Sequence, residues 1–216
     1  MSNKEILQRI TDSLVGGKPD ETESYTAQAL DSGIEPLEII DDGLIPGMDI
    51  VGDKFQTGEY FLPHLIIAAA GMKQSMELLE PELGRRHQTR KTPGTVVIGT
   101  VKGDIHEIGK SLVATMLTAN GFEVHDLGVD VSTDSLIDKA ADSNADIIAL
   151  SALLTTTMTE QRKVIEELTN RGLRDQVKVI VGGAPVSHDW SETIGADGYA
   201  EDAIGAVALA KNLLLV

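Results

Sequence analysis

The chain has 216 residues, with 34 Asp and Glu against 18 Lys and Arg, for a formal charge of −16. Hydrophobic residues make up 42%, enough for folded cores and too many for an acidic disordered segment, while the acidity argues against a nucleic-acid partner, which calls for a concentrated basic surface. The absence of Cys rules out disulfides, thiolate metal sites and a catalytic thiol, and with no bilayer-length apolar run and no signal-peptide pattern in MSNKEILQRITDSL, a soluble cytoplasmic protein without a membrane partner is expected.

Up to about residue 83 the apolar spacing is helical and the breakers fall between segments. Ile6, Leu7, Ile10 and Leu14 form one stripe, closed by Gly16-Gly17. A second helix is expected over about 19–30, closing at Gly33, and a third from Pro36 to Phe55, with a bend at Pro46-Gly47. The fourth starts at Leu62-Pro63, where Pro suits a first turn, and runs through Ile66, Ala70 and Leu78. Together these predict a four-helix bundle over 1–83. Residues 84–94, GRRHQTRKTPG, are basic, polar and end in Pro-Gly, and read as an exposed linker or hinge.

From 95 to 216 the period changes. Strands are expected at 95–101, 123–128, 146–152 and 178–183, with a weak fifth at 197–200. Helices are expected at 108–121, 133–143, 158–171 and 188–194, and a last one begins at AIGAVALAKNLLL. This rhythm predicts an α/β, doubly wound, Rossmann-like parallel sheet, and five strands favour the flavodoxin-like order 2-1-3-4-5. Ligands of such sheets sit beyond the C-terminal strand ends where the order reverses, so the loops after Val101, Leu150 and Val181 matter most.

The first of these loops is KGDIHEIGK. It lacks G-x-G-x-x-G, and it misses the phosphate-cradling G-x-x-x-x-G-K-[ST] pattern because Asp104 stands where the first Gly is required. Asp104 and His106 are two apart, a spacing that lets a carboxylate hold one imidazole nitrogen and make the other a better metal ligand. No second protein ligand lies nearby, since His87 and His125 fall in the linker and the second strand. A lone imidazole holds a free zinc ion poorly, but it can supply one axial position to a metal in a macrocycle. It can equally be a His that only packs at a loop. The second loop, SALLTTTM, is rich in hydroxyls, and the third, VGGAPVS, has small residues, so together they describe a slot suited to a ligand tail. Helix capping and a chain turn would explain the same residues.

Taken together, GDIHEIG (a D-x-H-x-x-G pattern), LSALLTTT and GGAP resemble the cobalamin-binding module of corrinoid methyl carriers. VGDKFQTGEYFLPHLIIAAAGM resembles the helical cap that accompanies this module in methionine synthase and in methanol and methylamine corrinoid proteins, so the likeness covers nearly the whole chain. The resemblance implies cobalamin or a related corrinoid as cofactor, with methylcobalamin as the loaded state. His106 would be the lower axial ligand of cobalt, Asp104 would accept a hydrogen bond from its other nitrogen, and Thr157 would continue that relay in place of a Ser. Gly109 completes the first motif, and Ser151, Leu153 and Thr155 would contact the cofactor, with Ser151 and Thr155 on its displaced nucleotide tail. Gly182 and Gly183 would leave room for that tail, and Phe55, Leu62 and Leu65 would cover the methyl face. Glu107 and Lys110 are expected to face solvent or the cofactor's amides.

By the same resemblance the protein would carry a methyl group between two partners. One is a substrate-specific methyltransferase; the second methyltransferase passes the group to a thiol or tetrahydrofolate acceptor. A reductive reactivation protein would be a third partner. Such a carrier is a component of a methyltransferase system and not a complete enzyme. The alternative is a cobalamin-binding sensor, ranked lower because no basic DNA-binding helix or output domain is visible.

Overall fold

Ser2 starts the first helix: its hydroxyl accepts the Glu5 N–H at 3.3 Å while the Glu5 carboxylate accepts the Ser2 N–H at 2.8 Å. The computed structural model describes residues 2–86 and 92–215, the side chain of Gln56 excepted. The chain divides into two compact units, Met1–Lys91 with Ala119–Gly121, and Thr92–Thr118 with Phe122–Val216. Among the described residues no helix is long and apolar enough to cross a membrane.

In the first unit α1 (Asn3–Val15) buries Ile6, Leu7, Ile10 and Leu14, the stripe expected from their spacing. Helix α2 (Pro19–Asp31) buries small residues instead, among them Thr22, Thr26 and Ala29. The Thr22 hydroxyl pairs with Ser13 at 2.9 Å and that of Thr26 donates to Ser75 at 3.0 Å, so these buried hydroxyls are satisfied. The third helical stretch comprises α3 (Pro36–Ile39), a π-helical turn (Ile40–Leu44) and α4 (Ile45–Gln56). The irregularity thus precedes the Pro46-Gly47 pair where a bend was expected. Pro46 has no N–H to continue the α ladder, and the Ile45 N–H instead reaches back to Ile40 O. Gly47 lets α1 come close, since a Cβ there would lie 3.0 Å from Leu14 Cδ1. Helix α5 (Leu62–Arg85) completes the bundle.

Helix α5 is longer than the sequence suggested, and takes Gly84 and Arg85 out of the expected linker. Residues 87–91 of that linker lie outside the described residues. Gly94, at its far end, is buried, and a Cβ there would strike Leu214.

The second unit alternates β1 (Thr95–Thr100), α6 (Ile108–Ala119), β2 (Glu123–Asp126), α7 (Thr133–Asp142), β3 (Ile147–Ser151), α8 (Thr159–Asn170), β4 (Lys178–Gly182), α9 (His188–Ile194), β5 (Gly198–Tyr199) and α10 (Ala203–Leu214). The sheet is parallel throughout, in the order β2-β1-β3-β4-β5. Val97, Ile148, Leu150, Val179 and Val181 pack with Leu136, Ile137, Val164, Ile165, Leu168 and Ile194, so α7, α8 and α9 cover one face. Contacts from Lys110 to Asp126 and from Leu209 to Gly198 place α6 and α10 on the other. The order reverses at β1 and β3, and their C-terminal ends bring the two polar loops together.

Candidate functional site

Strand β1 ends in Thr100, and the chain then turns through Gly103 at φ 81°, a conformation open to Gly. The turn drives Asp104 inward, where it is fully buried, and returns His106 to the surface with 45% of its side chain exposed. Asp104 Oδ1 lies 2.7 Å from His106 Nδ1 and accepts the His106 backbone N–H at 3.1 Å. Its other oxygen, Oδ2, accepts the Thr157 hydroxyl at 2.6 Å and the Leu153 N–H at 2.8 Å. Burial alone would raise the Asp104 pKa, but the Thr157 hydroxyl, the Leu153 N–H and the two His106 groups outweigh it. The carboxyl is therefore held well below the ordinary carboxylate range. An ionised Asp104 only accepts, so Nδ1 of His106 is the donor in this pair and Nε2 is the ring nitrogen left for another partner.

Two further contacts fix this loop. The Thr100 hydroxyl donates to the His106 carbonyl at 2.8 Å, and Lys110, in the first turn of α6, reaches Asp126 Oδ1 at 2.5 Å. Lys110 was expected to face solvent or the cofactor's amides, yet its side chain has no exposed area, whereas Glu107 is exposed. The reason is a partner on β2: a buried ammonium is tolerated only when paired, and Asp126 supplies the charge.

The structure brings Asp104, His106 and Thr157 into one hydrogen-bonded chain, with Leu153 joined through its backbone. Gly109 is exposed at the start of α6. Ser151, half-buried, pairs in register with Gly182, and Thr155 is exposed two residues before buried Thr157. Gly183 sits at φ 123° against the backbone of Ala152, where a Cβ would fall 1.8 Å from the carbonyl oxygen. Phe55 and Leu62 are half-buried and Leu65 fully buried in the first unit. His64, close in sequence, caps α5: its Nδ1 accepts the Phe61 N–H at 3.0 Å, and its ring stacks on Tyr60.

Sequence reasoning missed Gln161, which is fully buried. Its amide donates to Leu150 O at 3.1 Å and Gly182 O at 3.2 Å, and its carbonyl accepts the Trp190 indole N–H at 3.0 Å. It ties together the two strand ends that carry the second and third loops. A polar residue on the apolar stripe of α8 beside Val164 and Ile165 was its only sequence signal.

Residues 94–208 match the B12 binding domain family, and residues 6–80 match a second B12 binding domain family. The chain is 50% identical to dimethylamine corrinoid protein 2 of Methanosarcina acetivorans, over 99% of this chain and 98% of that one. The chain belongs to the B12-binding corrinoid proteins. Trimethylamine corrinoid protein 1 of the same organism is 45% identical over 99% of both chains. Among solved structures, a chain of the methanol:cobalamin methyltransferase complex of Methanosarcina barkeri aligns with a TM-score of 0.87. That chain is 31% identical, and the alignment covers 98% of this chain and 80% of that one.

This corrinoid protein therefore binds a cobalamin-type cofactor, and the residues fit one. Among the described residues the one cluster of three metal-capable groups is His188, Asp189 and Glu192, which excludes His106. His106 thus offers a single nitrogen, the donor set of a metal whose other ligands belong to a macrocycle. Around it Ile105 and Ile108 are 75% and 90% exposed, and Leu153 and Leu154 41% and 43%. Large aliphatic side chains left open in these two loops suit the face of a broad ring.

Proposed function

We propose that this corrinoid protein carries a methyl group between a substrate-specific methyltransferase and a second methyltransferase with a thiol or tetrahydrofolate acceptor, His106 Nε2 serving as lower axial ligand of cobalt. The observation that carries this reading is a half-exposed imidazole whose Nδ1 is held by the carboxylate of fully buried Asp104, which leaves Nε2 to serve as a ligand. When bound, the corrinoid supplies a cobalt centre that takes up and gives up a methyl group. Asp104 fixes the orientation of the imidazole and raises its basicity, and the Thr157 hydroxyl holds Asp104 in turn. The chain Thr157–Asp104–His106 stores a proton at Nδ1 whose sharing with the carboxylate tracks how strongly Nε2 is engaged.

The remaining residues take supporting roles in this proposal. Ser151 and Thr155 offer hydroxyls to a polar tail, and Gly182 and Gly183 keep side chains out of its way. Phe55, Leu62 and Leu65 provide apolar cover that excludes water from a bound methyl group. The methyltransferase complex among the similar structures supports a methyltransferase partner; a second methyltransferase, a reductive reactivation protein and a cytoplasmic setting follow from the chemistry proposed.

His106→Ala tests the ligand. The exposed ring leaves without opening a core cavity, so the apoprotein is expected to melt within a few degrees of wild type. The absorption spectrum of the bound corrinoid is expected to change to that of a form without a protein imidazole, and methyl transfer in a reconstituted methyltransferase assay to fall. A His106→Ala protein with the wild-type spectrum and wild-type turnover would refute the assignment.

A further inference from the structure

The segment between β2 and α7 lies alongside the His106 loop. Thr100 N–H donates to Gly128 O and Val131 N–H to Thr100 O, both at 3.0 Å, and Val101 and Val131 form a parallel bridge. Between these contacts Asp130 grips the loop with backbone and side chain at once. Its N–H donates to the Asp104 carbonyl at 2.8 Å, and its Oδ1 accepts the Gly103 N–H at 2.8 Å. The same oxygen lies 3.1 Å from Lys102 Nζ. To do this Asp130 adopts φ 53°, in the left-handed region, opposite Gly103 at φ 81°. L-residues other than Asn and Asp enter that region at a cost, because Cβ crowds the following carbonyl.

From this geometry we propose that Asp130 is a positioning residue for axial ligation: it holds the two peptide groups that flank Gly103–Asp104, the Gly103 N–H before it and the Asp104 carbonyl after it, and through Asp104 the direction of the His106 ring. The inference rests on the reading of His106 as the ligand. Asp104 is held on its carboxylate by Thr157 and Leu153 and on its carbonyl by Asp130. With the Gly103 N–H and the Asp104 carbonyl held by Asp130, and the Asp104 N–H between them donating to Val101 O at 3.1 Å, the backbone that carries Asp104 is fixed, and so is the carboxylate that holds His106 Nδ1. The Asp130 side chain is 47% exposed, so core packing does not account for its left-handed conformation. The hydrogen bond from Gly103, and Lys102 after it, also hold its carboxyl below the ordinary range, in keeping with an acceptor already committed.

Three variants separate the carboxylate from the backbone and from the ion pair. Asp130→Gly keeps access to positive φ and loses the acceptor; Asp130→Asn keeps both; Lys102→Ala removes the ion pair alone. In the apoprotein the readouts are amide hydrogen exchange at Gly103 and the imidazole ¹⁵N resonances of His106. With cobalamin added, the readout is the fraction bound with a protein imidazole, judged by absorption against His106→Ala as the unligated reference. Asp130→Gly is expected to speed Gly103 exchange and to lower the ligated-to-unligated ratio by about tenfold, the factor carried by one lost charge-assisted hydrogen bond. Asp130→Asn and Lys102→Ala are expected to behave as wild type. Asp130→Gly with wild-type exchange and wild-type ligation would overturn the proposal, and so would an Asp130→Gly chain that fails to fold, since the role assigned is positioning. If His106→Ala matches wild type, the ligand reading fails, while the apoprotein readouts still decide what Asp130 does.

Discussion

Asp104→Asn is expected to weaken cobalamin binding by about 10- to 100-fold while the sheet stays folded, the range over which outer partners of metal-bound His residues act. Asp104 accepts four hydrogen bonds, two on each oxygen. An amide of the same shape keeps one acceptor oxygen and turns an NH₂ toward donors. If it faces His106 with oxygen, its NH₂ meets the Leu153 N–H and the Thr157 hydroxyl; if it turns the other way, it meets His106 Nδ1–H. Thr157 has a second acceptor in Leu154 O at 3.1 Å, so its hydroxyl can turn, but the Leu153 N–H has no such recourse. Leaving that group unpaired costs about 1–3 kcal/mol. Titration of apoprotein with cobalamin, followed by absorption, measures the change, and unaltered affinity would show that Asp104 does not orient the ligand.

Gly183→Ala is expected to destabilise the second unit by about 3 kcal/mol or more, the upper end of overpacking costs. The added Cβ would sit 1.8 Å from Ala152 O and 2.7 Å from Ala152 C, and both are backbone atoms that cannot rotate away. Moving them would break the bond from Ala152 N–H to Gly182 O, which joins the ends of β3 and β4. The φ of 123° adds strain of its own for any L-side chain. The single Trp of the chain, Trp190, packs against this unit's core and reports unfolding by fluorescence. A denaturation midpoint equal to that of wild type would mean that the two loops separate more easily than their contact implies.

The strand order and the position of the site were legible because both follow from local pattern. Apolar strands alternating with helices leave few topologies, and the reversal beside β1 then points to the loops that hold Asp104 and Thr157. What escaped depends on how distant segments meet. Lys110 reads as a surface residue until Asp126, sixteen positions on, is folded beside it. Asp130 belongs to no motif, and its bond to Gly103 exists only because the loop after β2 runs along the loop after β1. Gln161 looks like an error in an apolar stripe until Leu150 and Gly182 bring their carbonyls to it. The π-helical turn before Pro46 is likewise a backbone response to a missing donor, placed a turn away from the residue that causes it.

The most direct test of the central claim is electron paramagnetic resonance of the cobalt(II) holoprotein carrying [¹⁵N]histidine. If His106 Nε2 is the axial ligand, the nitrogen splitting of the cobalt lines changes from the triplets of ¹⁴N to the doublets of ¹⁵N, and is absent in His106→Ala. Triplets that persist in the labelled protein would assign the ligand to the cofactor's own base and contradict the account.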